Sequence, residues 1–253
     1  MVPSKSNILI DEDLQGTNLQ GQNARTLRAR KLTTIYVYEA PVRLWHWITA
    51  ASIVVLVVTG YFIGSPPPSL SGEASNHFLM GWIRYLHFAA AWIFAVGFAG
   101  RVLWTFMGNI YARELFYIPF WRKDYWKGLL DEILVYAFIK KQGEKTIGHN
   151  PLARTALFFC FTLTSLFMII SGFALYSDGT GMDSWEGRVF GWVMPWLGGS
   201  LGTHFLHHWG MWVIILFVMI HIYTVTREDI MSRQTLLSAM TNGYRSYRDD
   251  RPE

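Results

Sequence analysis

Four long apolar runs, nearly free of charge, divide the 253-residue chain. Each is long enough to cross a bilayer core as a helix, which takes about 20 residues. In lipid every backbone N–H and C=O must be paired within its own segment, so such runs become helices rather than loops or open strands. Half of the residues are hydrophobic (51%) and only 16% are charged, against about a quarter in a soluble domain. The expected fold is an all-α membrane protein, a bundle of four transmembrane helices. The net charge of +4 does not point to nucleic acid. The basic residues stand between the apolar runs, as loop charges in membrane proteins do.

The runs predict helices over about 41–64, 81–108, 152–176 and 203–226, within a membrane domain spanning 33–240. Pro41 suits a first helical turn, and Ser65-Pro66-Pro67-Pro68 ends that helix. Residues 1–32 are polar and without periodicity, and read as a disordered N-terminal tail. The NILI patch is too short for a signal-peptide core. Residues 241–253 read as a polar C-terminal tail. Between the second and third runs, WRKDYWKGLLDEILVYAFIKK looks like an amphipathic helix lying on the membrane surface. The two tails and this connection hold nearly all the Lys and Arg, so both termini and the amphipathic loop are expected in the cytoplasm. Neither a short-period repeat nor a soluble domain is evident.

Eight histidines are present, and an imidazole inside a membrane is a functional candidate by default. The fourth run, Gly202–Thr226, carries His207 and His221 fourteen residues apart. Nearly four helical turns separate them, so both rings face about the same side, roughly 21 Å apart along the axis. With the expected orientation His46 lies near the cytoplasmic end of the first helix and His87 near the outer end of the second. The four then form two levels: His87 with His207 at the outer one, His46 with His221 at the inner one. Two imidazoles from facing helices are the axial set of a six-coordinate b-type haem. A structural histidine bonded to a neighbouring helix is the alternative at each position. His204 and His208 are poorly aligned with His221 and read as loop-end or supporting groups, and His77 as solvated.

Gly60, fourteen residues after His46, and Gly100, thirteen after His87, either let a flat macrocycle approach or serve ordinary small-residue helix packing. Arg43 and Arg84, each three residues before a histidine, either pair with haem propionates or anchor the interface. Cys160 is the single cysteine. That excludes an internal disulfide and a Cys-held iron–sulfur cluster, and without a C-x-x-C-H sequence no c-type haem attachment is expected.

EAPVRLWHW, VTGYFIG, MGWIRYLHF, IGHNPLAR, MIISGFALY and HIYTVTREDIMS follow one another between Tyr36 and Tyr247. Together they resemble the cytochrome b subunit of membrane-bound nickel–iron uptake hydrogenases, which is similar to the membrane subunit of respiratory formate dehydrogenase. The resemblance implies a four-helix cytochrome with two haem b, the outer on His87 and His207 and the inner on His46 and His221. It implies a bacterial inner-membrane location, an iron–sulfur small subunit and a nickel–iron large subunit on the periplasmic side. It also implies a quinone, menaquinone or ubiquinone, that accepts the electrons, making the chain the quinone-reducing part of a hydrogen:quinone oxidoreductase with no hydrogen-activating residue of its own. The quinone site would match GHNPLAR, with His149, Asn150 and Arg154; the alternative is helix-start chemistry, Asn150 capping before Pro151. The rival functions are the membrane subunit of another dehydrogenase, such as formate dehydrogenase, and a haem-free structural anchor.

Overall fold

The computed structural model describes residues 32–68, 72–73, 77–140, 146, 148–181, 183–232 and 235–248. The expected tail up to residue 31, and the last five residues of the other tail, lie outside them. In chain order the elements are β1 (Leu32–Tyr36), α1 (Ala40–Gly64), α2 (Leu79–Met107), α3 (Lys123–Tyr136), α4 (Pro151–Thr180), α5 (Trp185–Phe190), α6 (Val193–Trp196), α7 (Gly199–Ser232), α8 (Leu236–Asn242) and β2 (Tyr244–Arg248). Helices α1, α2, α4 and α7 are each long and apolar enough to cross a membrane. They form the all-α membrane bundle that the four runs predict.

The helices are longer than the apolar runs alone suggest. α7 begins at Gly199 and continues to Ser232, because the polar residues after Thr226 keep helical pairing beyond the apolar core. Within α4, Leu157–Leu163 adopts π-helical pairing, a local widening that hydrophobic periodicity does not report. α1 packs chiefly on α2, and α4 chiefly on α7, while contacts between the two pairs are sparser. The bundle is therefore two antiparallel hairpins set side by side. Large apolar side chains such as Val54, Val96, Leu103 and Leu216 point outward and are exposed, as a lipid-facing surface requires.

One end of the bundle is closed by elements with no counterpart in the apolar pattern. β1 and β2 pair antiparallel, Leu32 opposite Arg248 and Tyr36 opposite Tyr244. Gly243 ends α8 with φ +86°, and a Cβ there would run into Tyr36 and the Tyr38 carbonyl. Only glycine takes that left-handed turn without strain. Arg43 donates to the Thr241 carbonyl, and the Trp47 indole N–H donates to the Met240 carbonyl at 3.0 Å. The Glu39 carboxylate accepts from the Trp104 indole (2.9 Å) and the Asn109 backbone N–H (3.1 Å), tying the start of α1 to the end of α2. Val37, Tyr38, Val42, Ala112 and Ala239 form a small buried core beneath the strands. This strand end carries the beginnings of α1 and α4 and the ends of α2 and α7.

α3 lies beside the start of α4: the Tyr125 hydroxyl meets the Pro151 carbonyl (3.0 Å) and Thr155 Oγ1 (2.7 Å). Its other neighbour is the end of α7, where the Arg227 guanidinium lies over the rings of Tyr136 (5.0 Å) and Phe138 (5.7 Å).

Candidate functional site

At the end of the bundle away from the strands, His87 of α2 turns its Nδ1 to the Thr59 hydroxyl of α1 at 2.9 Å. The next residue, Gly60, lies against the same ring: a Cβ there would stand 3.3 Å from His87 Cε1. The other hairpin repeats the arrangement. His207 of α7 places its Nδ1 2.8 Å from the Ser171 hydroxyl of α4, and a Cβ on Gly172 would stand 3.3 Å from His207 Cε1. His87 and His207 lie within electrostatic range of each other. Thr59, Ser171 and Gly172 were not among the expected site residues. Their signal is a shared pattern, VTGYF in α1 against ISGFA in α4, with YLHFAAAWI in α2 against FLHHWGMWV in α7. Each is a dipeptide-sized match that gains meaning once the hairpins are seen to be equivalent.

At the strand end His46 and His221 are likewise within range of each other. The His221 ring stacks on Phe217, centroids 5.6 Å apart and planes 18° apart. The His46 ring meets Trp47 edge-on at 5.2 Å, and its Nδ1 is buried without a hydrogen-bond partner among the described residues. On α2 at this level, nothing lies within 4 Å of where a Cβ on Gly100 would stand. The adjacent Arg101 is buried, its guanidinium over Trp45 (5.4 Å) and Phe116 (5.5 Å) and donating to the Ala112 carbonyl at 2.6 Å. A cation inside a bundle is tolerated when aromatic faces and carbonyls surround it in this way.

The remaining candidates separate. Arg84 is exposed; Arg43 is bound to the Thr241 carbonyl as described. His208 packs on Gly64, whose absent Cβ would stand 3.0 Å from the ring, and His204 bonds its own helix at the Ser200 carbonyl, 2.9 Å. Asn150 caps α4, accepting from the Ala153 N–H at 2.7 Å, as the helix-start alternative has it. His149 presents both its backbone N–H and its Nδ1 to Glu114 Oε2, each at 2.9 Å. Burial pushes the Glu114 carboxyl up, but the His149 hydrogen bonds and the charges of His149 and Arg154 outweigh it and hold the group below its ordinary value. Arg154 donates to the Tyr117 carbonyl at 2.6 Å, and Arg245 of β2 donates to the Gly148 carbonyl at 2.9 Å. His149 is also within electrostatic range of His221. Glu114 had no sequence signal, being a lone acid in an irregular connection.

Among the described residues no group of three or more His, Cys, Asp or Glu could hold a bare metal ion. Imidazoles stand instead at two depths of an apolar bundle, His87 and His207 at the end away from the strands and His46 and His221 at the strand end. That is the frame of a membrane-bound b-type cytochrome. The chain matches the prokaryotic cytochrome b561 family over residues 37–243. It is 55% identical over 226 residues to a probable Ni/Fe-hydrogenase B-type cytochrome subunit of Azotobacter vinelandii, covering 89% of this chain and 94% of the relative. The counterpart of the same name in Cupriavidus necator is 53% identical over 220 residues, covering 87% and 90%. The probable Ni/Fe-hydrogenase 1 B-type cytochrome subunit of Escherichia coli K12 is 50% identical over 217 residues, covering 84% and 91%. The chain thus belongs to the prokaryotic cytochrome b561 family, among its hydrogenase B-type cytochrome subunits, which makes it a multi-pass membrane electron-transfer cytochrome carrying haem b.

Proposed function

We propose that the chain anchors a periplasmic nickel–iron hydrogenase, through its iron–sulfur small subunit and its large subunit, to the bacterial inner membrane and delivers the electrons to a membrane quinone. Two haem b would be held, one between His87 and His207 and one between His46 and His221. When bound they supply reversible one-electron redox chemistry at two depths of the bilayer. The observation that carries this reading is the pairing itself: His207 and His221 lie fourteen residues apart on one continuous helix, each with an imidazole of the other hairpin in range.

The residues present fit that group. Both Nδ1 atoms at the end away from the strands are occupied by hydroxyls, which leaves Nε2 of His87 and His207 for iron. Gly100 faces open space at the other level. The excess of Lys and Arg supports a cytoplasmic strand end, so His87 and His207 would serve the haem nearer the periplasm. The partner clusters are expected on that side.

At the strand end His149, Asn150 and Arg154 would form the quinone site, with the Glu114 carboxylate holding His149 in place. The cap uses Asn150 Oδ1 and leaves the side-chain NH₂ able to donate to a quinone carbonyl. Glu114 holds His149 at Nδ1, so Nε2 is the nitrogen left to exchange a proton with a quinone oxygen.

The test is a pyridine haemochrome count on the purified chain, with dithionite-reduced minus oxidised spectra. Two haem b per chain, falling to one in His207→Ala, with dye-linked hydrogenase activity of the complex kept and quinone-linked activity lost, is the expected result. No haem in a folded chain supplied with it would leave only a structural anchor.

A further inference from the structure

Thr59 and Ser171 each hold one hydroxyl proton, and the structure shows where it goes. Thr59 Oγ1 donates to the Val55 carbonyl at 2.6 Å, and Ser171 Oγ donates to the Phe167 carbonyl at 2.7 Å. Each is the i−4 carbonyl of its own helix, the usual resting place of a helical hydroxyl. A hydroxyl has no second proton. The short contacts to His87 Nδ1 and His207 Nδ1 therefore run the other way, with the imidazole N–H donating and the hydroxyl oxygen accepting. Both imidazoles are thus fixed with the proton on Nδ1 and the lone pair on Nε2.

Two features set this apart from incidental packing. The same device occurs once in each hairpin, a hydroxyl residue followed by a glycine that makes room for the ring, reaching a histidine on the partner helix. And among the described residues His46, at the other level, has its Nδ1 buried without such an acceptor. An acceptor on the distal nitrogen of a ligating imidazole raises its basicity, and a hydroxyl already polarised by donating to a carbonyl accepts more strongly.

We propose that Thr59 and Ser171 are positioning residues for the haem between His87 and His207, orienting both ligands and holding that haem's reduction potential down relative to what unbonded imidazoles would give. This rests on the two-haem reading above. Electron-rich axial nitrogens favour the ferric form, and hydrogen bonding behind the ligand is one of the levers a protein has on that balance.

The test is optical redox titration of the purified complex in Thr59→Val and Ser171→Ala, each of which removes the acceptor oxygen. The haem between His87 and His207 is identified by its loss in His207→Ala. The expected result is two haems retained, that haem's midpoint potential shifted upward in each single variant and further in the double variant, and the other haem unchanged. Thr59→Ser, which restores the acceptor, should restore the potential. Full haem content with an unshifted potential, an equal shift in both haems, or a Thr59→Ser variant as shifted as Thr59→Val would overturn the proposal. Should Thr59→Val fail to assemble, Ser171→Ala on the other hairpin reads the same haem independently. A haem count below two in the unaltered protein would instead defeat the underlying two-haem reading.

Discussion

Gly60 and Gly172 make the same prediction from opposite hairpins. An alanine Cβ at either position would stand 3.3 Å from the imidazole Cε1 of His87 or His207. Carbon atoms rest about 3.5–4.0 Å apart, so the ring must retreat by roughly 0.2–0.7 Å. The hydrogen bonds to Thr59 and Ser171 are 2.9 and 2.8 Å long, and a retreat of that size carries them to the edge of the useful N–H···O range, about 3.2 Å. Overpacking costs about 1–3 kcal/mol, while replacing glycine inside a helix returns about 0.5–1 kcal/mol. Net destabilisation is then about 0–2.5 kcal/mol, a fall of at most several degrees in melting temperature for a chain of this size. The site is less forgiving, because ligand constellations tolerate only about 0.5 Å of displacement. The expected outcome is a near-normal melt with a weakened or potential-shifted haem between His87 and His207, read by haem count and optical redox titration. Gly179→Ala is the control: it lies in the same helix as Gly172 with nothing within 4 Å of the added Cβ, and should leave both haems alone. If Gly60→Ala and Gly172→Ala each bind two haems with unaltered potentials, the glycines do not set the ring positions and the clamp reasoning fails.

Asn150→Ala should lower stability by about 1 kcal/mol through loss of the α4 cap; a several-fold rise in the KM for quinone, unmatched by a variant that weakens α4 elsewhere, would show the NH₂ group acting on quinone as well. Glu114 has its pKa below the ordinary 4.5 in the folded state, so its pairing stabilises the fold fully above about that pH and the contribution is lost as pH falls through the folded pKa. Glu114→Gln should therefore flatten the decline of melting temperature below pH 4.5, and a parallel decline in both proteins would count against the pairing. Arg43→Ala removes a charged donor from the Thr241 carbonyl and should cost about 1–2 kcal/mol, with hydrogen exchange accelerated in α8 and β2 rather than in the bundle. Proteoliposomes containing the complex should develop a membrane potential on adding hydrogen and quinone if the quinone protons come from the strand end; no potential would place proton uptake on the other side.

What the amino-acid sequence reveals here depends on how far apart the cooperating residues lie. His207 and His221 are legible because one uninterrupted helix is a ruler: fourteen residues fix both angle and depth. His46 and His87 follow once the helices they stand on are taken as antiparallel neighbours. Thr59 and Ser171 escape notice because a hydroxyl in an apolar helix carries no signature until the facing helix is known, and the histidines they hold are 28 and 36 residues away. The strands escape for the same reason at larger range: LTTIY and YRSYR are short, and Tyr36 meets Tyr244 across nearly the whole chain. Asn150 shows the opposite case, where local chemistry was fully readable, Asn before Pro at a helix start, and the structure places the side chain on that local duty. Local rules thus account for helices and caps, and a regular spacing accounts for histidines sharing one face of one helix. The hydroxyls and glycines behind the histidines become visible when the two hairpins are laid over each other, since Thr59-Gly60 with His87 and Ser171-Gly172 with His207 then occupy the same place twice.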